Sequence, residues 1–135
     1  MGGPKVLGTI PQDPIEAAEM VRKGLPTRTL VSLKSKLGAS LDDLAETLNL
    51  PKRTLERRLS SGARLNGKES ERVYRLARVA ARAEEVFGDL LKAFRWLHKE
   101  NRALGGAKPM LLLDTDVGTT AVEDVLTRIE YGVAS

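Results

Sequence analysis

The sequence contains no cysteine, one histidine, one tryptophan, two tyrosines and two phenylalanines among its 135 residues. Without cysteine there is no disulfide framework and no thiolate metal site, and the chain suits a reducing cytoplasm, where it is expected to act. With aromatics at 4%, leucine, valine and alanine must supply most of the core. The longest apolar run, residues 110–113, falls far short of the ~20 residues of a membrane span. Residues 1–5 do not resemble a signal peptide, so no membrane partner is expected. The lone histidine, His98, sits beside Trp96 and Leu97, a setting that points to a structural or solvated role. Gly105-Gly106 lacks the lysine and spacing of a phosphate loop, because Lys108 precedes Pro109 and not a helix. Asp114 and Asp116 have no third ligand nearby to hold a metal. No catalytic residue, metal or cofactor is therefore expected.

Charge is present but unevenly placed. The net charge is +4, yet residues 52–82 carry ten basic and three acidic side chains, whereas residues 112–135 carry five acidic side chains and one arginine. A basic middle and an acidic end point to two partners of different kind.

Apolar spacing predicts helices almost throughout and an all-α fold. Residues 1–12 read as a flexible arm. Asp13-Pro14 opens a first helix that Gly24 ends. The second helix carries Leu30, Leu33 and Leu37 and stops at Gly38. Ser40 with Asp43 forms a capping pair for the third, which ends at Asn49. Pro51 opens the fourth, residues 52–59, closed by Ser60, Ser61 and Gly62. Asn66 with Glu69 repeats the capping pattern for a long helix through Val73, Leu76, Ala77, Ala80 and Ala83 to Phe87, whose alanines allow close approach of a neighbour. A sixth helix carries Leu90, Leu91, Phe94 and Leu97. Residues 105–109 read as a loop and 110–113 as a short strand or buried loop. Thr119 or Thr120 begins a last helix with Val122, Val125, Leu126 and Ile129 at core-facing spacing.

Residues 40–59 carry the most informative local pattern. Two short helices joined by about three residues must cross closely. Ala45 supplies the small residue at the crossing, Asn49 tolerates the positive φ of the turn, Leu50 plugs it, and Leu55 and Leu59 anchor the second helix. Lys52, Arg53, Thr54, Arg57 and Arg58 are left outside, with Arg64 just beyond. Side chains at the start of such a helix reach base edges in the major groove, arginine pairing with guanine and the others with phosphate. These six residues are the candidate DNA-binding set. Leu50 cannot cap the fourth helix through its side chain, a deficit that Pro51 offsets in part.

The C-terminal third contains Ala93, Trp96-Leu97, Asn101, Ala103-Leu104-Gly105-Gly106, Pro109, Leu112-Leu113, Thr115, Gly118, Val122, Leu126 and the run Arg128-Ile129-Glu130-Tyr131-Gly132. In that order these resemble the toxin-binding domain of antitoxins of the Xre/MbcA/ParS type, and residues ~27–82 resemble the helix-turn-helix domain of the same antitoxins. The resemblance implies three parts: an arm and short helix over 1–26, a helix-turn-helix domain over 27–85 and a small helical toxin-binding domain over 86–135. It also implies a RES-type, NAD⁺-consuming toxin as partner, operator DNA as a second partner with autorepression, and a homodimer or larger assembly with the toxin. The toxin-binding residues expected on this basis are Leu112, Thr115, Gly118, Val122, Leu126, Arg128, Ile129, Glu130, Tyr131, Gly132, Val133, Ala134 and Ser135, the last six covering the toxin's active site. Glu100 departs from the proline usual before Asn101 in the family, which is expected to lengthen the sixth helix. Two alternatives remain at this stage: a regulator whose C-terminal domain only mediates oligomerisation, and a plasmid- or DNA-partitioning factor.

Overall fold

A computed structural model describes residues 5–6 and 10–132. The fold is helical, as the spacing predicts, and divides into two compact units, Met1–Ala77 and Arg78–Ser135, with the division falling inside one long helix.

The first unit begins with a small addition to the helical pattern. Strands β1 (Lys5–Val6) and β2 (Ile10–Pro11) pair antiparallel, with Val6 opposite Ile10. Ile10 is fully buried, so the segment before the first helix is not a free arm at this point. Two-residue strands are too short to show alternation, which is why the sequence pattern passes over them. Helix α1 (Pro14–Lys23) starts with Asp13 accepting from the Ile15 amide at 3.3 Å. It ends at Gly24, whose φ is +91° and where a Cβ would stand 2.3 Å from the Leu65 carbonyl oxygen. The Leu65 amide donates to the Leu25 carbonyl at 2.9 Å, and the Leu25 amide donates to Ser70 Oγ at 2.8 Å. The chain leaving α1 is thereby tied to the start of the long helix.

Helix α2 (Arg28–Leu37) stops at Gly38. Helix α3 (Leu41–Leu48) carries the full Ser40/Asp43 capping box and ends at Asn49, with φ of +53°. Helix α4 (Lys52–Ser61) runs two residues beyond the span read from sequence, up to Gly62. Helix α5 (Gly67–Phe87) opens with Asn66 and Glu69 capping each other, at 2.8 Å and 2.9 Å. Leu30, Leu33, Leu37, Leu44, Leu48, Leu55, Leu65, Val73 and Leu76 form the leucine-rich core of this unit.

The second unit comprises the rest of α5, then α6 (Leu90–Leu97), two 3-10 turns (Arg102–Leu104 and Pro109–Leu112), and α7 (Asp116–Glu130). Asp89 caps α6 through the Leu91 amide at 2.9 Å. His98 ends it, with Nδ1 2.8 Å from the Phe94 carbonyl oxygen, so α6 does not lengthen towards Glu100. Residues 109–112 form a 3-10 turn and not a strand, because Pro109 fixes φ at its first position and has no amide to place in a ladder. Helix α7 begins at Asp116, three or four residues earlier than expected. Thr115 Oγ1 accepts from the Gly118 amide at 2.9 Å and so caps it. Gly118 sits in the first turn of α7, where a Cβ would meet the Leu112 carbonyl oxygen at 2.0 Å. Close packing, not a turn, requires glycine there. Val79, Ala80, Ala83, Ala93, Leu97, Met110, Val122 and Leu126 are the buried core of this unit.

Candidate functional site

The α3–α4 pair brings together most of the expected DNA-binding residues, but it does not leave them equally available. Ala45 lies at the crossing, 8% exposed, and Leu55 is buried. Leu50 and Leu59 are only half-buried, so Leu55 alone of the α4 leucines is a full anchor. Pro51 has extended backbone angles and offers no side-chain cap to α4. Arg53 and Arg57 are exposed, and among the described residues no side chain pairs with either.

The other four differ. Lys52 Nζ lies 3.1 Å from Asp42 on α3, and this hydrogen bond raises its pKa above the ordinary lysine value. Thr54 is half-buried. Arg58 donates from Nε and Nη2 to the Glu69 carboxylate at 3.0 Å and 3.3 Å. Glu69 is itself the cap of α5, so Arg58 braces α4 against that helix. Arg64 Nη1 donates to the Gly24 carbonyl at 2.6 Å. A further arginine, Arg72, donates to the carbonyl of Asn49, the residue at the turn. Sequence reasoning passed over Arg72; an arginine six residues into a helix gives no local sign that it faces another helix's end.

In the second unit α7 has three faces, which follow from ~100° of rotation per residue. Thr119, Val122 and Leu126 are fully buried on the first. Glu123, Thr127 and Glu130 form the second, towards α5: Arg78 donates to Glu123 at 2.9 Å and 3.0 Å, and Arg82 to Glu130 at 2.6 Å and 3.1 Å. Val117, Asp124, Arg128 and Tyr131 line the third, which is open to solvent; Val117 is 82% and Tyr131 72% exposed. Arg82 holds the Glu130 carboxyl below its ordinary pKa through that hydrogen bond.

The residues expected to meet a toxin therefore separate. Val122 and Leu126 are core and closed to a partner. Leu112 is half-buried with its carbonyl against Gly118. Thr115 is the α7 cap, and Ile129 is half-buried. Arg128, Glu130, Tyr131 and Gly132 are exposed. Val133, Ala134 and Ser135 lie outside the described residues. Two exposed apolar residues that the sequence reading did not single out, Leu111 and Val117, stand near the start of α7. A surface cleft of about 680 Å³ is lined by Trp96, Lys99, Asn101 and Arg102 among others. Among the described residues no three histidine, aspartate or glutamate side chains gather as a metal site, and no helix is long and apolar enough to cross a membrane.

Comparison with known proteins gives matches over both units. Residues 16–78 match the Antitoxin Xre-like helix-turn-helix domain, and residues 82–132 match the Antitoxin Xre/MbcA/ParS C-terminal toxin-binding domain. A protein named Antitoxin Xre from Pseudomonas putida is 43% identical over 83 residues, 62% of this chain and 52% of that protein. Another Antitoxin Xre, from Photorhabdus laumondii, is 30% identical over 117 residues, 86% of this chain and 79% of that protein. The Prs ADP-ribosylating antitoxin of Sphingobium is 26% identical over 128 residues, 88% and 80% of the two chains. The chain thus spans about half the length of the Pseudomonas relative, and 64% of an Antitoxin Xre from Yersinia enterocolitica.

Proposed function

We propose, because this chain belongs to the Xre/MbcA/ParS family of antitoxins, that it binds operator DNA through α4 and neutralises a protein toxin through its C-terminal domain. DNA binding is assigned to residues 27–85 and toxin binding to residues 86–135. On DNA, Arg53 and Arg57 read bases and Lys52 and Thr54 meet phosphates, while Arg58 and Arg64 act by holding α4 and the α1 end in place. The toxin is of the RES type and consumes NAD⁺, and the complex represses its own operon. One helix-turn-helix covers a single half-site, so the chain works as a dimer or a larger assembly with the toxin.

The observation that carries the toxin reading is the division of α7. Its core face is fully buried and its α5 face is ion-paired, which leaves Val117, Arg128 and Tyr131 as the surface that a toxin meets. Residues 131–135 cover the substrate pocket and exclude NAD⁺ sterically. A pocket that receives a pyrophosphate is positively charged, which suits the net acidity of residues 112–135.

The test is NAD⁺ loss by the purified RES-type protein proposed as the toxin, with the full chain or a chain cut after Glu130. Full inhibition by the intact chain and restored NAD⁺ loss with the shortened one are expected. Equal inhibition by both rejects residues 131–135 as the plug.

A further inference from the structure

We infer that Arg82 is a positioning residue for toxin neutralisation: by gripping Glu130 it fixes the end of α7 that carries Tyr131. This rests on the reading of residues 131–135 as the inhibitory segment, and it gives Glu130 an internal role in place of direct contact with the toxin.

The grip is specific to the last turn. Arg82 donates to both Glu130 oxygens, at 2.6 Å and 3.1 Å, and also reaches Thr127 Oγ1 at 3.5 Å, one turn earlier. One planar guanidinium thus holds two successive turns of α7 from α5. The last carbonyls of a helix lack intrahelical partners, and its final turn frays unless something holds it. Apolar packing holds it only in part: Ile129 is half-buried, Tyr131 is 72% exposed and Gly132 is exposed. The last fully buried side chain of α7 is Leu126, and Arg82 is the tie beyond it. Holding the last turn of α7 and Tyr131 in place before they meet the target removes part of the entropic cost of binding.

A second ion pair between the same helices supplies the control. Arg78 holds Glu123, seven residues before Glu130, also through two hydrogen bonds, from Nε and Nη2. Both pairs are comparably exposed, 36% and 29% for Arg78 and Glu123 against 25% and 34% for Arg82 and Glu130. A merely structural role predicts similar effects of breaking either pair. A positioning role predicts a difference, since Glu123 lies between Val122 and Leu126, where the core already fixes the helix.

The experiment compares Arg78→Gln, Arg82→Gln, Glu130→Gln and the exchange Arg82→Glu with Glu130→Arg, all in the full chain. Inhibition of the purified RES protein's NAD⁺ loss is one readout, and amide hydrogen exchange of residues 127–132 without toxin is the other. Arg82→Gln and Glu130→Gln are each expected to weaken inhibition about three- to tenfold and to speed exchange in the last turn, and the two changes combined in one further variant to do no worse than either alone. The exchanged pair is expected to restore both, and Arg78→Gln to leave both near the wild-type value. Fast exchange with undiminished inhibition in Arg82→Gln overturns the inference and leaves the plug reading standing. Loss of inhibition in Glu130→Gln alone, unrestored by the exchange, assigns Glu130 to the toxin surface and also overturns it. Inhibition by the chain cut after Glu130 equal to that of the intact chain overturns the plug reading, and the inference with it.

Discussion

Gly118 shows how one hydrogen atom in place of a side chain decides a packing arrangement. The Leu112 carbonyl fills the space where a Cβ would stand, at 2.0 Å. Gly118→Ala forces the Pro109–Leu112 turn away from α7 and is expected to cost about 1–3 kcal/mol of the second unit's stability. Urea denaturation followed by circular dichroism measures this loss, and operator binding should survive at concentrations where the chain stays folded. From its sequence neighbours Gly118 stands before the expected start of the last helix, and the structure places it in that helix's first turn. A glycine between Asp116 and Thr119 looks like the end of a loop, and only the approach of Leu112, six residues back, shows that it lies inside a helix. Asn49 is the opposite case. Its tolerance of positive φ is a property of its own side chain and its neighbours in sequence, so the turn between α3 and α4 was legible without the fold.

At the scale of the element, α4 carries two kinds of arginine that look alike in sequence. Arg53 and Arg57 are exposed, whereas Arg58 is bound to Glu69. Arg53→Ala or Arg57→Ala is expected to weaken operator binding by about 1–3 kcal/mol if the residue reads a base, with an unchanged melting temperature. Arg58→Ala is expected to lower the melting temperature as well, because Glu69, 7% exposed, loses its ionic partner. Fluorescence anisotropy with an operator duplex, set beside thermal melts of the same proteins, separates the two classes. The capping pairs at Ser40 and Asn66 were legible because both partners lie within three residues. The ties of Arg58 to Glu69, Arg72 to Asn49 and Arg78 to Glu123 span 11, 23 and 45 residues, and no local pattern announces such partners. The same limit applies to the toxin-binding set. The i, i+3, i+4 stripe located the core of α7, but a stripe that is buried cannot also be the surface a partner meets.

For the whole molecule, charge links stability to pH in a defined direction. The Glu130 carboxyl titrates below its ordinary range because Arg82 holds it ionised, with Glu85 and Tyr131 also acting on Arg82. A group with a depressed folded pKa stabilises the fold above its unfolded pKa and loses that contribution as pH falls through the folded value. The melting-temperature difference between the native chain and Glu130→Gln is therefore expected to persist at neutral pH and to vanish in acid. A difference that grows with acidification refutes the assignment. The basic stretch in residues 52–82 predicts operator binding that weakens steeply with added salt as counterions return to the phosphates, read as the slope of log affinity against log salt. One consequence of α5 concerns insertions and deletions. Its buried side chains Val73, Leu76, Ala80 and Ala83 follow one another at three- and four-residue steps without a break. A single codon inserted after Ala77 turns Ala80 and Ala83 by about 100° off that line. Substitutions on its exposed side leave that line intact, whereas an added or lost residue is accommodated more readily in a loop such as residues 105–108.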